Sequence, residues 1–284
     1  MKSLRIFSTK TDEYLSQFHL EAKKNNIKVS IYRYENFSFE DDKLIYSGRK
    51  GFPSFTSEDV VLFRRCAYEK KRQHFWLRLL ATLARDSGAE VINEDFMVNF
   101  PLHSGKLFQA AYFSAYKIPH ISTYRLSRKV KTSEYPLLTK KRYTAFGKDS
   151  YLLENHQDLI NIKKQIKCLD DFVVQPFLEL ERDTRVLILD KKIVGAVKRV
   201  VQAKKNGEII VKVIGTEELT HAEKDIMDKF LDVFSLDLAG VDLFTSKTGK
   251  TWLGEINFFP NFAGYIRVTE KNLFKDILEM MAKR

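Results

Sequence analysis

The sequence predicts a mixed α/β (α+β) chain in three modules, over residues 1–103, 104–177 and 178–284. Three observations carry this expectation. Strand and helix patterns alternate through the first hundred residues, and the pattern changes from Gly105 to single helices and strands separated by loops. After Pro176, strand runs follow one another and end in a hairpin.

Leu4–Phe7 is the first strand, followed by a helix over Thr11–Lys24 that aligns Tyr14, Leu15, Phe18 and Ala22. Val29–Tyr32 and Val60–Phe63 are further strands. Phe75, Trp76, Leu79, Leu80 and Leu83 recur at helical spacing before the short strand Val91–Ile92. These pieces form a small parallel sheet with helices. A helix carrying Leu107, Phe108, Ala111, Tyr112 and Ala115 ends before Ile118–Pro119. Leu137–Lys140 and Tyr151–Leu153 are strands on either side of the loop KRYTAFGKDS. Asn155 caps a helix with Leu159, Ile162 and Ile166, and the strand Phe172–Gln175 stops at Pro176. Arg185–Leu189, Ile193–Val200 and Glu208–Ile214 are successive strands. Thr220 and Glu223 form a capping box for a helix with Ile226, Met227, Phe230, Leu231 and Phe234 inward. A closing helix carries Leu273, Phe274, Ile277, Leu278 and Met281, and the pairs Phe75–Trp76 and Phe258–Phe259 read as core.

A chain of 284 residues is long enough for two or three small domains with a real core, and 44% apolar content with six prolines excludes extended disorder. The net charge of +11 suits anionic ligands such as nucleotides, acidic peptides or nucleic acid. Nucleic acid has only this charge behind it, and most of the lysines read as a solvated face. Cys66 and Cys168 lie at no metal-type or disulfide-framework spacing, which implies a reducing cytoplasm. No apolar run reaches the ~18 residues of a membrane span. The opening MKSLRIFST is too short and polar for a signal peptide. The six histidines form no HxxH or HxxxH pair, so no zinc site is expected.

The segment VDLFTSKTGKTWLGEINFFP, residues 241–260, holds the chemistry. A hairpin centred on Thr248 and Gly249 makes Lys247 face Lys250 and sets Asp242 opposite Glu255, with Asn257 on the same face as Glu255. Val241, Leu243 and Ile256 take the other face. Carboxylates opposed at about 4.5–5.5 Å repel each other and call for a compensating positive charge. Hard oxygens at this spacing suit Mg²⁺, which takes one or two carboxylates and leaves its other positions to water and phosphate. The alternative is a solvated acidic hairpin neutralised by its own lysines.

In this order the pieces resemble the ATP-grasp enzymes, and among them the RimK-type amino-acid and peptide ligases, over almost the whole chain. LAGVDLF and then LGEINFFPNFAGY are similar to that family's GVD and E-x-N-x-x-P-G-x-x-G. The resemblance implies a pre-ATP-grasp α/β domain followed by two α+β modules that grip ATP. It implies that Asp242, Glu255 and Asn257 hold two Mg²⁺ ions, with Mn²⁺ as the alternative ion. HSGKLFQAAYFSAYKIPH and YPLLTK resemble the segments of two phosphate-contacting lysines, which fall on Lys106 and Lys140. VVQPF resembles the hinge beside adenine, so backbone groups of Gln175, Pro176, Phe177 and Leu178 are expected to bond the base, Pro176 through its carbonyl. LERDTRVLILDKKIVGAVKR resembles a segment that places Asp183 and Arg185 at the nucleotide and Arg199 near the transferred phosphate, with Glu181 or Glu179 on the ribose. DVVLFRR resembles a segment with an arginine near the acyl substrate, which falls on Arg64, Arg65 being the alternative inward residue.

Four departures stand out. The phosphate-covering loop TAFGKDS carries Gly147 as its single glycine, and Ala145 and Asp149 restrict its torsions. GEIIVKVIG lacks an R-S-N that contacts substrate in close relatives. Ser104 or Gly105 stands where an acid is common. Asn261 replaces a glycine, a change that a left-handed backbone would accommodate. The implied activity is ATP-dependent joining of a carboxylate to an amine through an acyl phosphate, the acceptor being an amino acid, a peptide or a protein tail, in a cytoplasmic protein that is often a homo-oligomer. The alternatives are a kinase that phosphorylates a hydroxyl, like the inositol-phosphate branch, and a non-catalytic nucleotide-binding protein.

Overall fold

A computed structural model describes the chain except residues 1, 11, 41–42, 47–51, 53, 66–70, 101, 128–130, 132–133, 144–148 and 204–208, and except the side chains of 71, 201–203 and 209–210. The chain divides into two units, Met1–Pro101 with Glu270–Arg284, and Leu102–Thr269. No helix among the described residues is long and apolar enough to cross a membrane.

The first unit runs through β1 (Ser3–Ser8), α1 (Leu15–Lys24) and β2 (Val29–Arg33), then a hairpin of β3 (Phe37–Glu40) and β4 (Lys43–Tyr46). It continues with β5 (Asp59–Phe63), α2 (Lys71–Asp86), β6 (Glu90–Val91) and α3 (Glu94–Val98). The expected parallel sheet forms, in the order β2-β1-β5-β6. Ile6, Phe7 and all of Val60 to Phe63 are buried, the near-continuous apolar run of strands covered on both faces. Helix α2 buries only part of the face expected of it, Trp76 and Leu80. Phe75 is 51% exposed and Leu83 37%, while Trp76, Leu77, Leu80, Ala81 and Ala84 are buried. That stripe hides two small alanines, which a search for bulky residues passes over.

The second unit opens with α4 (Lys106–Ala115). A four-stranded antiparallel sheet follows, of β7 (Tyr124–Arg125), β8 (Leu137–Lys141), β9 (Ser150–Leu153) and β10 (Phe172–Pro176), in the order β7-β10-β8-β9. Between β9 and β10 comes α5 (His156–Gln165), capped by the Asn155 side chain and packing Leu159 and Ile162 against Leu137, Leu153, Phe172 and Val174. The larger sheet holds β11 (Leu180–Leu189), β12 (Lys192–Ala203), β13 (Ile209–Thr216), β14 (Leu238–Ser246) and β15 (Thr251–Asn257), all antiparallel, in the order β13-β12-β11-β14-β15. Helix α6 (His221–Val233) precedes β14 and carries the expected capping box of Thr220 and Glu223. Strand β11 starts earlier than its apolar run, because ladder pairing to β14 holds Arg182 and Asp183 in register.

A short helix, α7 (Ala263–Thr269), was not expected from the sequence. Asn261 starts it. Among the described residues Asn261 is not one of those with positive φ, so the glycine it replaces is not substituted by a left-handed backbone. Instead its Oδ1 accepts the Ala263 N–H at 3.0 Å, as a cap does. The closing helix α8 (Leu273–Lys283) is also reassigned. It packs on α1 through Phe274 against Phe18 and Tyr14, and so belongs to the first unit rather than to the module that precedes it.

The hairpin of β14 and β15 reaches the expected pairing by another route. Ser246, not Lys247, pairs with Lys250, and Gly249 takes a left-handed φ of 80° within a three-residue turn. This puts Leu243 opposite Leu253, one residue out of the expected register. A bulge at Gly254 restores it, so Asp242 does face Glu255 and Gly240 faces Asn257. Only glycine fits at that bulge. A Cβ there would meet the Phe244 ring, with Cδ2 at 2.6 Å and Cε2 closer still.

Candidate functional site

Asp242 lies on β14, flanked by β11 and β15, and its neighbours converge on it from both sides. On β11, Arg185 is its cross-strand partner and donates from Nε to Oδ1 at 2.7 Å and from Nη2 to Oδ2 at 2.9 Å. From β12, Arg199 Nη1 donates to Oδ2 at 3.0 Å and spans to Asp183, which it holds through Nε at 2.8 Å and through Nη2. On β15, Asn257 Nδ2 approaches Oδ2 at 3.5 Å. Burial pushes the Asp242 carboxyl up, but Arg185 and Arg199 more than offset this and hold it below the usual carboxylate range. Asp183 goes the other way: burial raises it, nearby Asp242 adds to the rise, and Arg199 opposes without reversing it.

Two lysines face this acidic set. Lys106, the first residue of α4, sits with Nζ 3.5 Å from Glu255 Oε2. Lys140 is paired through its main chain within β8, and its side-chain ammonium makes no hydrogen bond or ion pair among the described residues. Its ammonium titrates below the usual lysine range, first because it is desolvated and then because Lys106 is near, with Glu255 and Asp242 opposing. Lys106, Ile121, Lys140, Gln175, Phe244, Gly254 and Glu255 line one cleft. A half-buried ammonium at the wall of such a cleft is suited to an anion.

Asp242, Glu255 and Asn257 are thus gathered as expected. Among the described residues no group of three His, Cys, Asp or Glu is placed to hold a metal unaided. The donor set, two carboxylates and an amide oxygen, still fits Mg²⁺, which completes its coordination with water and phosphate.

The hinge is narrower than expected. The Phe177 N–H is already donated to the Pro136 carbonyl at 3.0 Å, and Pro176 has none. The Leu178 N–H makes no hydrogen bond among the described residues, so of the groups expected to bond a base it is the N–H still available. The Gln175 side chain is turned to Thr123 Oγ1 at 2.8 Å. Glu181 and Glu179 are both exposed, and Glu179 is paired with Lys247 at 2.8 Å. Gly147 lies outside the described residues. At the end of that loop Asp149 adopts φ 53°, the left-handed conformation that a glycine would take without strain. In the first unit Arg64, not Arg65, is the inward arginine. It is 2% exposed, with Nε 3.0 Å from Asp12 Oδ2 and its guanidinium over Tyr14 and Phe18.

Sequence reasoning missed Gln109. It sits one turn after Lys106 on α4 and is buried, and its amide grips the main chain of Ile256. The Ile256 N–H donates to Oε1 at 2.9 Å, and Nε2 donates to the Ile256 carbonyl at 3.1 Å. A polar residue inside an otherwise apolar helix face was the available signal.

Residues 121–281, more than half of the chain, match the RimK-like ATP-grasp domain. The chain is 22% identical over 153 residues to a coenzyme γ-F420-2:α-L-glutamate ligase of Methanocaldococcus jannaschii, covering 52% of each chain, so it spans about half the length of that curated relative. Its fold is similar to that of the ATP-grasp ligase PsnB in complex with a phosphomimetic variant of its minimal precursor, Mg and ADP (TM-score 0.74, 13% identity, 99% of this chain and 98% of that one). It is also similar to a RiPP-associated ATP-grasp ligase of Chryseobacterium gregarium in complex with ADP and a leader and core peptide (TM-score 0.70, 14% identity, 100% and 97%). These likenesses establish the ATP-grasp fold.

Proposed function

The chain belongs to the RimK-like ATP-grasp family, and from that premise we propose that it joins a carboxylate to an amine at the expense of ATP. The observation that carries this reading is that Glu255 lines one cleft with Lys106 and Lys140, while Asp242 pairs with Glu255 across the hairpin and lies against Asn257. Asp242, Glu255 and Asn257 would hold two Mg²⁺ ions, which neutralise and orient the β- and γ-phosphates when bound. Lys106 and Lys140 balance the triphosphate charge. Arg199 and Arg185 reach the same region from β12 and β11, and the Pro176 carbonyl and Leu178 N–H receive the base. A substrate carboxylate oxygen attacks the γ-phosphorus and the bond to the β-phosphate oxygen breaks, giving an acyl phosphate and ADP. The amine nitrogen then attacks the acyl carbon, phosphate leaves, and the nitrogen loses a proton to give the amide. The protein positions and compensates charge, and no side chain becomes covalently attached.

The peptide complexes of the two structural neighbours support a peptide or protein carboxylate as the substrate, and the glutamate ligase supports an amino acid as the amine. Arg64 carries no part of this proposal, since Asp12 already engages its guanidinium. Sparse cysteine usage supports a reducing, cytoplasmic setting. The resemblance supports a homo-oligomer, which sedimentation would test. The decisive experiment supplies ATP and Mg²⁺ with pairs of carboxylates and amines and reads phosphate release and product mass. Amide product that disappears in Asp242→Asn and Glu255→Gln supports the ligase. A stable phosphorylated hydroxyl formed without any amine would identify a kinase instead. Tight ATP binding with no ADP from any acceptor would identify a non-catalytic nucleotide-binding protein.

A further inference from the structure

We propose that Gln109 is a positioning residue that fixes the metal-binding edge of the site to the phosphate-binding helix. The inference rests on the reading of Glu255 and Asn257 as metal ligands. Strand β15 is the outer strand of its sheet, and on its outer side the segment Pro119–Ile121 pairs with Leu253, whose N–H donates to the Pro119 carbonyl at 2.8 Å and whose carbonyl accepts the Ile121 N–H at 3.4 Å. In an antiparallel pair the main-chain groups of alternate residues turn toward and away from the partner strand. Ile256 turns its N–H and C=O away from β14, so Glu255 and Asn257, on either side of it, turn theirs toward β14. The Leu253 pairing lies three residues before Ile256, and outward groups left unpaired on an edge strand invite water or a competing strand.

Gln109 extends this outer support to Ile256. Its amide satisfies both outward groups of Ile256, as a neighbouring strand would, and a further hydrogen bond from Nε2 to the His103 carbonyl at 3.0 Å fixes its rotamer. The residue is 3% exposed, so water does not substitute readily. The grip falls on the single residue between Glu255 and Asn257. It originates three residues from Lys106 on the same helix, where i and i+3 side chains lie on one face, and Lys106 itself approaches Glu255 at 3.5 Å. The position of the two ligands relative to the lysine is therefore set through Gln109. Outer contacts of this kind typically change metal affinity by about 10–100-fold when removed.

The test uses the full chain with Mn²⁺ as probe. Gln109→Leu roughly keeps the volume and removes all three hydrogen bonds, two to Ile256 and one to the His103 carbonyl. Gln109→Glu keeps an acceptor for the Ile256 N–H and loses the donor to its carbonyl. Mn²⁺ affinity in the presence of ADP is read by electron paramagnetic resonance, and ADP affinity in EDTA by calorimetry. The expected result is Mn²⁺ binding about tenfold weaker in Gln109→Leu and intermediate in Gln109→Glu, with metal-free ADP affinity kept close to that of the parent. Mn²⁺ affinity equal to the parent's in either variant overturns the proposal, as does a parallel loss of metal and metal-free affinity in both. If Gln109→Leu does not fold, Gln109→Glu decides alone. Should the parent protein take up no more Mn²⁺ with ADP than Asp242→Asn does, the metal reading fails first and takes this inference with it.

Discussion

Arg185 holds both carboxylate oxygens of Asp242, directly across the ladder between β11 and β14. With Arg199 on Oδ2 as well, three of the roughly four lone-pair sites of the carboxylate are occupied. A cation approaching Asp242 therefore competes with guanidinium groups. A triphosphate would offer those groups another bidentate partner, and on the proposed reading nucleotide binding would then be coupled to release of Asp242. Bare protein is expected to bind Mn²⁺ weakly and protein with ADP to bind it much more tightly. Arg185→Met should raise the nucleotide-free affinity and lower the affinity for ATP. Hydrogen bonds to charged groups are worth about 1.5–3 kcal/mol each, or about tenfold and more in a binding constant. Electron paramagnetic resonance titration of free Mn²⁺ checks this, and an unchanged or weaker nucleotide-free affinity in Arg185→Met would count against the coupling.

Lys140 predicts a proton linkage. Desolvation and Lys106 lower its titration in the free protein, and a bound polyphosphate raises it again. ATP affinity is then fully present below the lowered, free-state value and falls as pH rises through it toward the bound-state value. In that window binding takes up a proton. Calorimetry in buffers of different ionisation enthalpy should register the uptake, and Lys140→Arg should abolish it while retaining ATP binding. For folding the sign reverses. Keeping Lys140 charged costs stability below its lowered value, and the cost fades as pH rises toward the ordinary lysine range.

Much of this site was legible because it follows from period and register. Asp242, Glu255 and Asn257 share one face of an alternating hairpin, and the parallel sheet of the first unit follows from apolar runs such as Val60–Phe63. The Asp242–Glu255 pairing was read correctly although the turn was not. A residue gained in the three-residue turn is cancelled at the Gly254 bulge, and neither feature has a hydrophobic signature. Helix α8 reads as an amphipathic helix, but nothing in its stripe says which unit covers it. Gln109 was invisible for a similar reason, since its partners are main-chain atoms of Ile256, 147 residues away. Arg185 and Arg199 were found through resemblance, yet that they grip Asp242 depends on the pairing of three strands.

The ion pair of Arg64 and Asp12 predicts a stability effect in the first unit. Both side chains are almost wholly buried. Burial pushes the Asp12 carboxyl up, while Arg64, Ser8 and the Tyr14 N–H more than compensate and lower it. Its contribution is therefore present above the ordinary aspartate value and is lost as pH falls through the lowered one. Arg64→Met leaves a buried charge uncompensated and should cost about 3–5 kcal/mol at neutral pH. Pairing it with Asp12→Asn should recover much of that loss. Urea midpoints of the parent, the two single variants and the double variant measure the coupling. A single Arg64→Met variant as stable as the parent would show that the pair contributes nothing.

The bulge at Gly254 makes the last prediction, because it links backbone geometry to the site. Gly254 lines the cleft beside Phe244, whose ring lies where a Cβ would sit. Gly254→Ala must displace that ring or flatten the bulge. Displacing the ring is an overpacking cost of about 1–3 kcal/mol. Flattening the bulge moves β15 by one residue against β14, which turns Glu255 and Asn257 to the opposite face. The two outcomes separate experimentally. If the ring moves, Gly254→Ala loses stability, Phe244→Leu in the same chain restores it, and Mn²⁺ binding with ADP survives. If the register slips, Mn²⁺ binding is lost and Phe244→Leu does not recover it. The ladder from Gly240 to Asp242 pairs in the restored register and Gln109 holds Ile256 from the other side. The expected outcome is therefore ring displacement with rescue, and loss of Mn²⁺ binding that Phe244→Leu leaves unrepaired would contradict it.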